Sequence, residues 1–95
     1  MTGEDLARSY RATLLRHLTR QEEASRSAGY ELGREALVAG VGLLELVTVH
    51  HRVLAEVLRE SPPEKVPAVA VAAADLLLEV LASYDMVQRG LPRGT

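Results

Sequence analysis

Histidines and carboxylates are the residues of this 95-residue chain whose types and spacing could support catalysis or metal binding. His50 and His51 are adjacent, so on a helix their side chains point about 100° apart and cannot hold one metal ion together, as a pair spaced i, i+4 would. Asp75 and Glu79 have that i, i+4 spacing, which would suit an acid and base pair. Two carboxylates one turn apart are more often the solvated edge of a helix, and we adopt that interpretation.

No sequence signature of nucleophilic or phosphate chemistry accompanies these residues. The chain contains no nucleophile elbow, no glycine-rich phosphate loop and no Walker motif. It contains no cysteine, which removes thiolate nucleophiles, thiolate metal ligands and disulfides, and fits a reducing cytosol. We therefore predict a cytoplasmic protein that is not an enzyme and has no cofactor and no metal.

Five basic residues near the N-terminus form a candidate nucleic-acid or phosphate surface. They are Arg8, Arg11, Arg16, His17 and Arg20. Acidic residues bracket this segment, no stacking aromatic residues interleave with it, and the net charge of the chain is -2. We interpret the segment as a solvated charged face and predict no nucleic-acid partner.

The most apolar segment runs from Val66 to Leu81 and is the candidate for a membrane span. It falls short of the roughly 20 residues that a span needs, and Asp75 and Glu79 interrupt it. The N-terminus carries no apolar segment typical of a secretory signal. We predict a buried helix here and no membrane association.

Hydrophobic periodicity predicts four helices in a single domain. The helices are residues 4–23, 28–39, 43–60 and 66–88, and the domain is residues 1–95. Thr2 and Asp5 approximate a capping box at the first helix start. Gly40 and Gly42 break the second helix, and Ser61-Pro62-Pro63 separates the last two. With no Phe and no Trp, the core must consist of Leu, Val, Ala and Tyr, so we predict an all-α four-helix bundle.

Small residues recur on one side of the second predicted helix. They are Gly29, Gly33, Ala36 and Gly40. Because glycine costs about 1 kcal/mol relative to alanine inside a helix, we expect a packing reason for it, namely the close approach of a neighbouring helix.

Apolar residues cover most of the circumference of the fourth predicted helix. One apolar face would suffice for a helix in a monomeric bundle, and a helix that is apolar nearly all round is buried on more than one side. We therefore expect part of this helix to face a second subunit or another protein. The alternative is a helix that lies wholly at the centre of the bundle.

Two kinds of site residue follow from these helices. His50 lies on the apolar stripe of the third helix, so we predict a core histidine bonded to Tyr84, Ser83 or Asp75. On the fourth helix a strip at spacings of three and four mixes apolar and acidic side chains, which suits a reversible partner interface. The strip is Asp75, Leu78, Glu79 and Ala82, with Glu23 added from the end of the first helix. For Glu23 we favour the alternative interpretation, a solvated acid, over a partner contact.

Three segments carry a resemblance to a known family. They are the run 40–54, which includes Glu45-Leu46-Val47-Thr48-Val49-His50-His51, the run 75–81, and Tyr84-Asp85-Met86-Val87-Gln88-Arg89-Gly90. Together they resemble the N-terminal domain of RsbU-type serine phosphatases over nearly the whole chain. The first helix shows little likeness beyond Tyr10 and its apolar spacing.

The resemblance implies a KaiA/RsbU-like four-helix bundle that forms a homodimer and receives an RsbT-type serine/threonine switch kinase. In that family, kinase binding activates a C-terminal metal-dependent phosphatase, which dephosphorylates an anti-anti-sigma factor and so releases a stress sigma factor. The resemblance also implies kinase docking on the last helix, where the predicted strip lies. These 95 residues hold no phosphatase domain, so we expect a regulatory fragment or a stand-alone relative.

Two other functions stay open at the level of sequence. The chain could be a structural homodimerisation module that joins effector domains without recognising a kinase. It could also sense a small ligand in the bundle core, although no polar cluster marks such a site.

Overall fold

The computed structural model describes residues 1–19 and 23–88, without the side chains of residues 23–26. Four α-helices and a short 3-10 helix make up this part of the chain, and it contains no strand. The helices are α1 (Gly3–Thr19), α2 (Glu23–Val38), α3 (Leu43–Glu60) and α4 (Val66–Gln88), with the 3-10 helix at Pro63–Lys65. The predicted all-α four-helix bundle is confirmed.

The first two helices have bounds that differ from the predicted ones, whereas α3 and α4 have the expected bounds. Helix α1 was expected to reach Glu23, but it ends at Thr19, and Glu23 instead begins α2. The expected start of α2 at Ala28 is therefore wrong by more than one turn. Serines 25 and 27 favour caps but are also tolerated inside a helix, where their propensity is only modestly unfavourable.

The start of α1 is fixed by the predicted capping box. The backbone N–H of Asp5 donates to Thr2 Oγ1, and the backbone N–H of Thr2 donates to Asp5 Oδ2, both at 3.1 Å. These bonds, together with Arg8, hold the pKa of Asp5 below its ordinary value. Two donors at the helix start are thereby satisfied reciprocally.

The core lies where α1 and α4 meet, since each of these helices packs against both α2 and α3. Its largest fully buried side chains are Leu6, Tyr10, Leu14, Leu46, Val53, Leu76 and Val80. The bundle is flat, with principal extents of 50, 27 and 16 Å. A flat bundle leaves broad faces of its helices on the surface.

Helices α2 and α4 run parallel in close contact. Gly29 lies beside Leu76 and Glu79, and farther along both helices Gly33 lies beside Val80 and Ser83. A Cβ atom at residue 33 would overlap the carbonyl oxygen of Val80 and lie 3.0 Å from its carbonyl carbon. The close helix approach predicted from the glycines is confirmed at these two positions.

Gly40 has a different role from the one expected. Its φ of +83° is the positive value that favours glycine, and a Cβ there would meet nothing within 4 Å. Gly40 therefore ends α2 by its backbone conformation, not by admitting a neighbouring helix.

Charged residues tie α1 to α3 on one flank of the bundle, and these two helices also run parallel. Arg11 pairs with Glu56 and Glu60, while Arg52 pairs with Glu4 and Glu56. Exposed pairs of this kind contribute little stability singly. Together they make this flank polar, with its charged side chains paired to one another.

The segment Pro63–Gln88 is long and apolar enough to span a membrane. One third of its most apolar stretch is buried inside the bundle. The core helix of a water-soluble protein passes the same test of length and composition, so the absence of membrane association stays a prediction.

Candidate partner-binding surface

His50 bonds to Tyr10 of α1 and not to a residue of α4. Its Nδ1 lies 2.7 Å from the Tyr10 hydroxyl oxygen, and the two rings meet edge to face at 5.6 Å. The expected bond to Tyr84, Ser83 or Asp75 is therefore wrong. The observed bond results from the parallel packing of α1 on α3, which brings Tyr10 on the apolar stripe of α1 opposite His50.

Protonation states at this pair follow from burial. Burial lowers the pKa of the half-buried His50, and the neighbouring His51 lowers it further. Burial raises the pKa of Tyr10, which is completely buried. The hydrogen bond therefore joins a neutral tyrosine hydroxyl to a neutral imidazole at Nδ1.

We predict that acid destabilises the domain partly through His50. In the unfolded chain its pKa is about 6.5, above the folded value, so the unfolded state binds the proton more readily. The contribution of neutral His50 to the free energy of unfolding is complete above the unfolded pKa, and it is lost as the pH falls towards the folded pKa. Urea titrations between about pH 7 and about pH 5 should show a smaller fall in unfolding free energy for His50→Gln than for the parent.

The matched control for this measurement is His51→Gln, since His51 is exposed. It should keep most of the pH dependence of the parent. Equal pH dependence in the parent and in His50→Gln would show that His50 does not titrate with unfolding.

Tyr84, which we predicted to be a core residue, is partly buried and packs against the core. Its hydroxyl donates to the carbonyl oxygen of Val41 at 2.9 Å, and burial together with the charge of Glu45 raises its pKa. Ser83 donates to the carbonyl oxygen of Tyr30 at 3.0 Å. These bonds attach the end of α4 to α2 and to the α2–α3 connection.

His17 is buried, although the sequence placed it on the solvated basic face. Its side chain is 5% exposed, and its Nε2 lies 3.5 Å from Glu79 Oε2. Tyr10, Leu14 and His17 share one apolar stripe at spacings of four and three, so the helix period carried this signal. The sequence interpretation grouped His17 with the neighbouring arginines because it is basic, and overlooked its place in the apolar period of the helix. Arg20, from the same set, lies outside the described residues.

The residues of the predicted strip on α4 differ in exposure, and one of them is largely buried. Asp75 and Leu78 are exposed, the latter by 69%, and Ala82 is partly exposed. The side chain of Glu79 is only 20% exposed, so the expectation of a solvated carboxylate there is wrong. It lies about 100° around the helix from Leu78 and occupies the room that Gly29 leaves in α2.

The fifth predicted partner residue, Glu23, is the first residue of α2 and does not belong to α1. Its side chain lies outside the described part of the structure.

Large apolar side chains remain exposed along α3 and α4. On α4 they are Val66, Val71, Leu78, Met86 and Val87, and on α3 they are Leu43, Leu44 and Val47. A helix wholly at the centre of the bundle would not expose such residues. The alternative of a central α4 is therefore wrong, and an exposed apolar surface of this extent is typical of a protein interface.

Comparison with protein families decides what kind of domain this is. The family model described as "Phosphoserine phosphatase RsbU, N-terminal domain" matches residues 8–87. The chain belongs to this family. No curated protein and no solved structure gives a significant match.

Membership in the RsbU N-terminal family makes the chain a regulatory domain of RsbU-like phosphatases. The catalytic domain of those phosphatases is not among these 95 residues, so the chain itself is not an enzyme. Within residues 1–19 and 23–88, no group of three or more His, Asp or Glu side chains could hold a metal ion. The exposed faces of this RsbU N-terminal domain, and not a chemical centre, are therefore its candidate functional site.

Proposed function

We propose that this cytoplasmic domain binds an RsbT-type serine/threonine switch kinase and so takes part in partner-switching control of a stress sigma factor. The kinase contacts Asp75, Leu78 and Ala82 on α4. The observation that carries the proposal is Leu78, a large apolar side chain that is 69% exposed in the middle of a well-packed helix. Membership in the RsbU N-terminal family supports the class of partner.

The chemistry around Leu78 suits a reversible contact. Leu78 can fill a pocket on the partner, where a buried aliphatic side chain contributes about 1.5 to 3 kcal/mol. The exposed Asp75, one turn earlier, has no ion-pair partner among the described residues. An unpaired carboxylate beside an apolar anchor selects partner and orientation more than it adds affinity. Glu79 and Glu23 have less support, since the former is largely buried.

A second exposed face supports a homodimer. Leu43 and Val47 of α3 lie on the side opposite the charged α1–α3 flank, and Leu77 and Leu81 of α4 share the side of Tyr84, which is bonded to the α2–α3 connection. This α3–α4 face is mainly apolar, with Glu45 close enough to Tyr84 for its charge to act on the hydroxyl, and an apolar face suits an interface between two copies. The kinase strip mixes charge with apolar surface.

Calorimetric titration with the RsbT-type kinase from the same genome tests the proposal. Leu78→Asn and Ala82→Asp should each weaken binding at least about 100-fold, because both place an unmatched polar group in a desolvated contact. Circular dichroism and light scattering on the same samples should show unchanged helicity and a mass of two chains.

Leu44→Asn is the matched control, since Leu44 is also exposed but lies on α3. It should bind the kinase as the parent does. Unchanged kinase affinity in both α4 variants would move the docking site elsewhere, and a mass of one chain in either would make this strip the subunit interface.

The second candidate is a homodimerisation module that recognises no kinase, and the apolar α3–α4 face favours it equally. Parent protein with a dimeric mass and no heat of binding to the kinase would establish this alternative. A mass near the 10.3 kDa of one chain at every concentration would contradict both candidates in their dimeric form.

A further inference from the structure

A groove opens between α2 and α4 near their C-terminal ends. It has a volume of about 340 Å³ and is lined mainly by apolar side chains. The lining residues are Tyr30, Arg34, Leu37, Val38, Ser83, Met86 and Val87. The Tyr30 hydroxyl donates to Met86 Sδ at 3.4 Å, and the glycine contact between α2 and α4 fixes both walls. The groove is therefore present before any partner binds.

The groove is continuous with the strip proposed to bind the kinase. Leu78, Ala82 and Met86 follow one another at i, i+4 spacing, so they form one row along α4. The row leads from Leu78 to Met86 in the groove wall. Val38, 82% exposed at the groove rim, extends the apolar surface onto α2.

Opposite charges stand at the two ends of this surface. Asp75 lies at one end, and Arg34 is the charged side chain of the groove at the other. Neither has an ion-pair partner within residues 1–19 and 23–88. Arg34 is exposed, and Glu31 and Glu35 lie near it on the other side of α2.

We propose that the partner docks an amphipathic helix along α4 in one orientation, with a basic residue at Asp75 and an apolar residue plus a carboxylate in the groove at Arg34. The apolar row between the charges faces the partner's apolar stripe. From Asp75 to Met86 the surface is roughly 16 Å long, which matches about three helical turns. The proposal rests on the proposed function, because it describes how the kinase occupies the same strip.

Open shape and charge together favour a helix over a small ligand. Small-molecule sites enclose most of their ligand, whereas this groove leaves Val38 and Val87 exposed at its rim. A helix laid in a groove contributes apolar anchors at spacings of three and four, and the two unpaired charges fix its direction.

Kinase titrations of Arg34→Glu and Val38→Asp test the groove. Each should weaken binding at least about 10-fold, because the first repels the partner carboxylate and the second places a charge in the apolar contact. Both residues are exposed, so circular dichroism should be unchanged. The matched control is Arg59→Glu, which makes the same charge change on the exposed side of α3 and should bind as the parent does.

Orientation is tested with nitroxide labels, since the chain contains no cysteine. A label on Ala39→Cys, which is exposed beside Val38 and does not line the groove, should broaden kinase resonances at the carboxylate-bearing end of the docked helix. A label on Ala74→Cys, next to Asp75, should broaden those at its basic end. The reverse pattern would overturn the proposed direction.

The outcomes separate this proposal from the proposed function. If Leu78→Asn loses the kinase while Arg34→Glu and Val38→Asp bind normally, the kinase site stands and the groove contact is wrong. If Arg59→Glu weakens binding as much as Arg34→Glu, only long-range charge is involved and the groove contact is also wrong. If the parent does not bind the kinase, both proposals fail.

Discussion

Replacing Gly33 by alanine should lower the free energy of unfolding by at least about 2 kcal/mol. The added Cβ would overlap the carbonyl oxygen of Val80 and lie 3.1 Å from Ser83 Oγ. The first of these is a backbone atom, so the overlap can be relieved only by separating α2 from α4. Alanine also gains about 1 kcal/mol of helix propensity, and we expect the steric cost to exceed this gain.

Urea denaturation followed by circular dichroism measures this effect. Gly3→Ala is the matched control, because Gly3 begins α1 and its Cβ would lie at an ordinary 3.7 Å from Glu45 Oε2. The control should be neutral or slightly stabilising. Equal stability of the parent and Gly33→Ala would mean that α2 and α4 do not pack as closely as described.

His17→Ala should lower the free energy of unfolding by about 3 kcal/mol, for two reasons that add. It leaves a cavity on the apolar stripe of α1, where the side chain is 5% exposed. It also removes the imidazole beside the largely buried carboxylate of Glu79, and loss of one partner of a buried polar pair is costly. His51→Ala, at an exposed position, should change stability little.

A double-mutant cycle separates the two causes. The stability losses of His17→Ala and Glu79→Ala should sum to more than the loss of the double variant, with a coupling of about 1 kcal/mol or more. Additive losses would show that His17 acts only by filling space. A loss in His17→Ala no larger than that in His51→Ala would contradict the burial itself.

The parts of the fold that the sequence predicts are those with a local physical signal. Helices α3 and α4 have an apolar period, a Pro62-Pro63 break between them and clear ends, so local rules place them. The α1–α2 boundary lacks such a signal, because serine is compatible with both a cap and a helix interior. Local helix propensity alone therefore assigned Glu23 to the end of α1, whereas it begins α2.

The parts of the surface that the sequence does not predict depend on how helices pair. The spacing on α4 places Asp75, Leu78 and Ala82 on an exposed side, as described. The burial of Glu79 depends on α2 running parallel to α4 with Gly29 opposite, which the period of either helix alone cannot show. The bond between His50 and Tyr10 likewise depends on the pairing of α1 with α3.

The closest helix contact also sets the order in which the domain can form. Tyr30 and Ser83, joined across α2 and α4, are 53 positions apart, so a long segment must close before this contact exists. With two glycines in its interior, α2 has little helical stability of its own and depends on α4. During synthesis, α2 therefore becomes stably helical only after α4 has left the ribosome. A partner that binds across both helices can recognise only the completely folded domain and none of its partly folded forms.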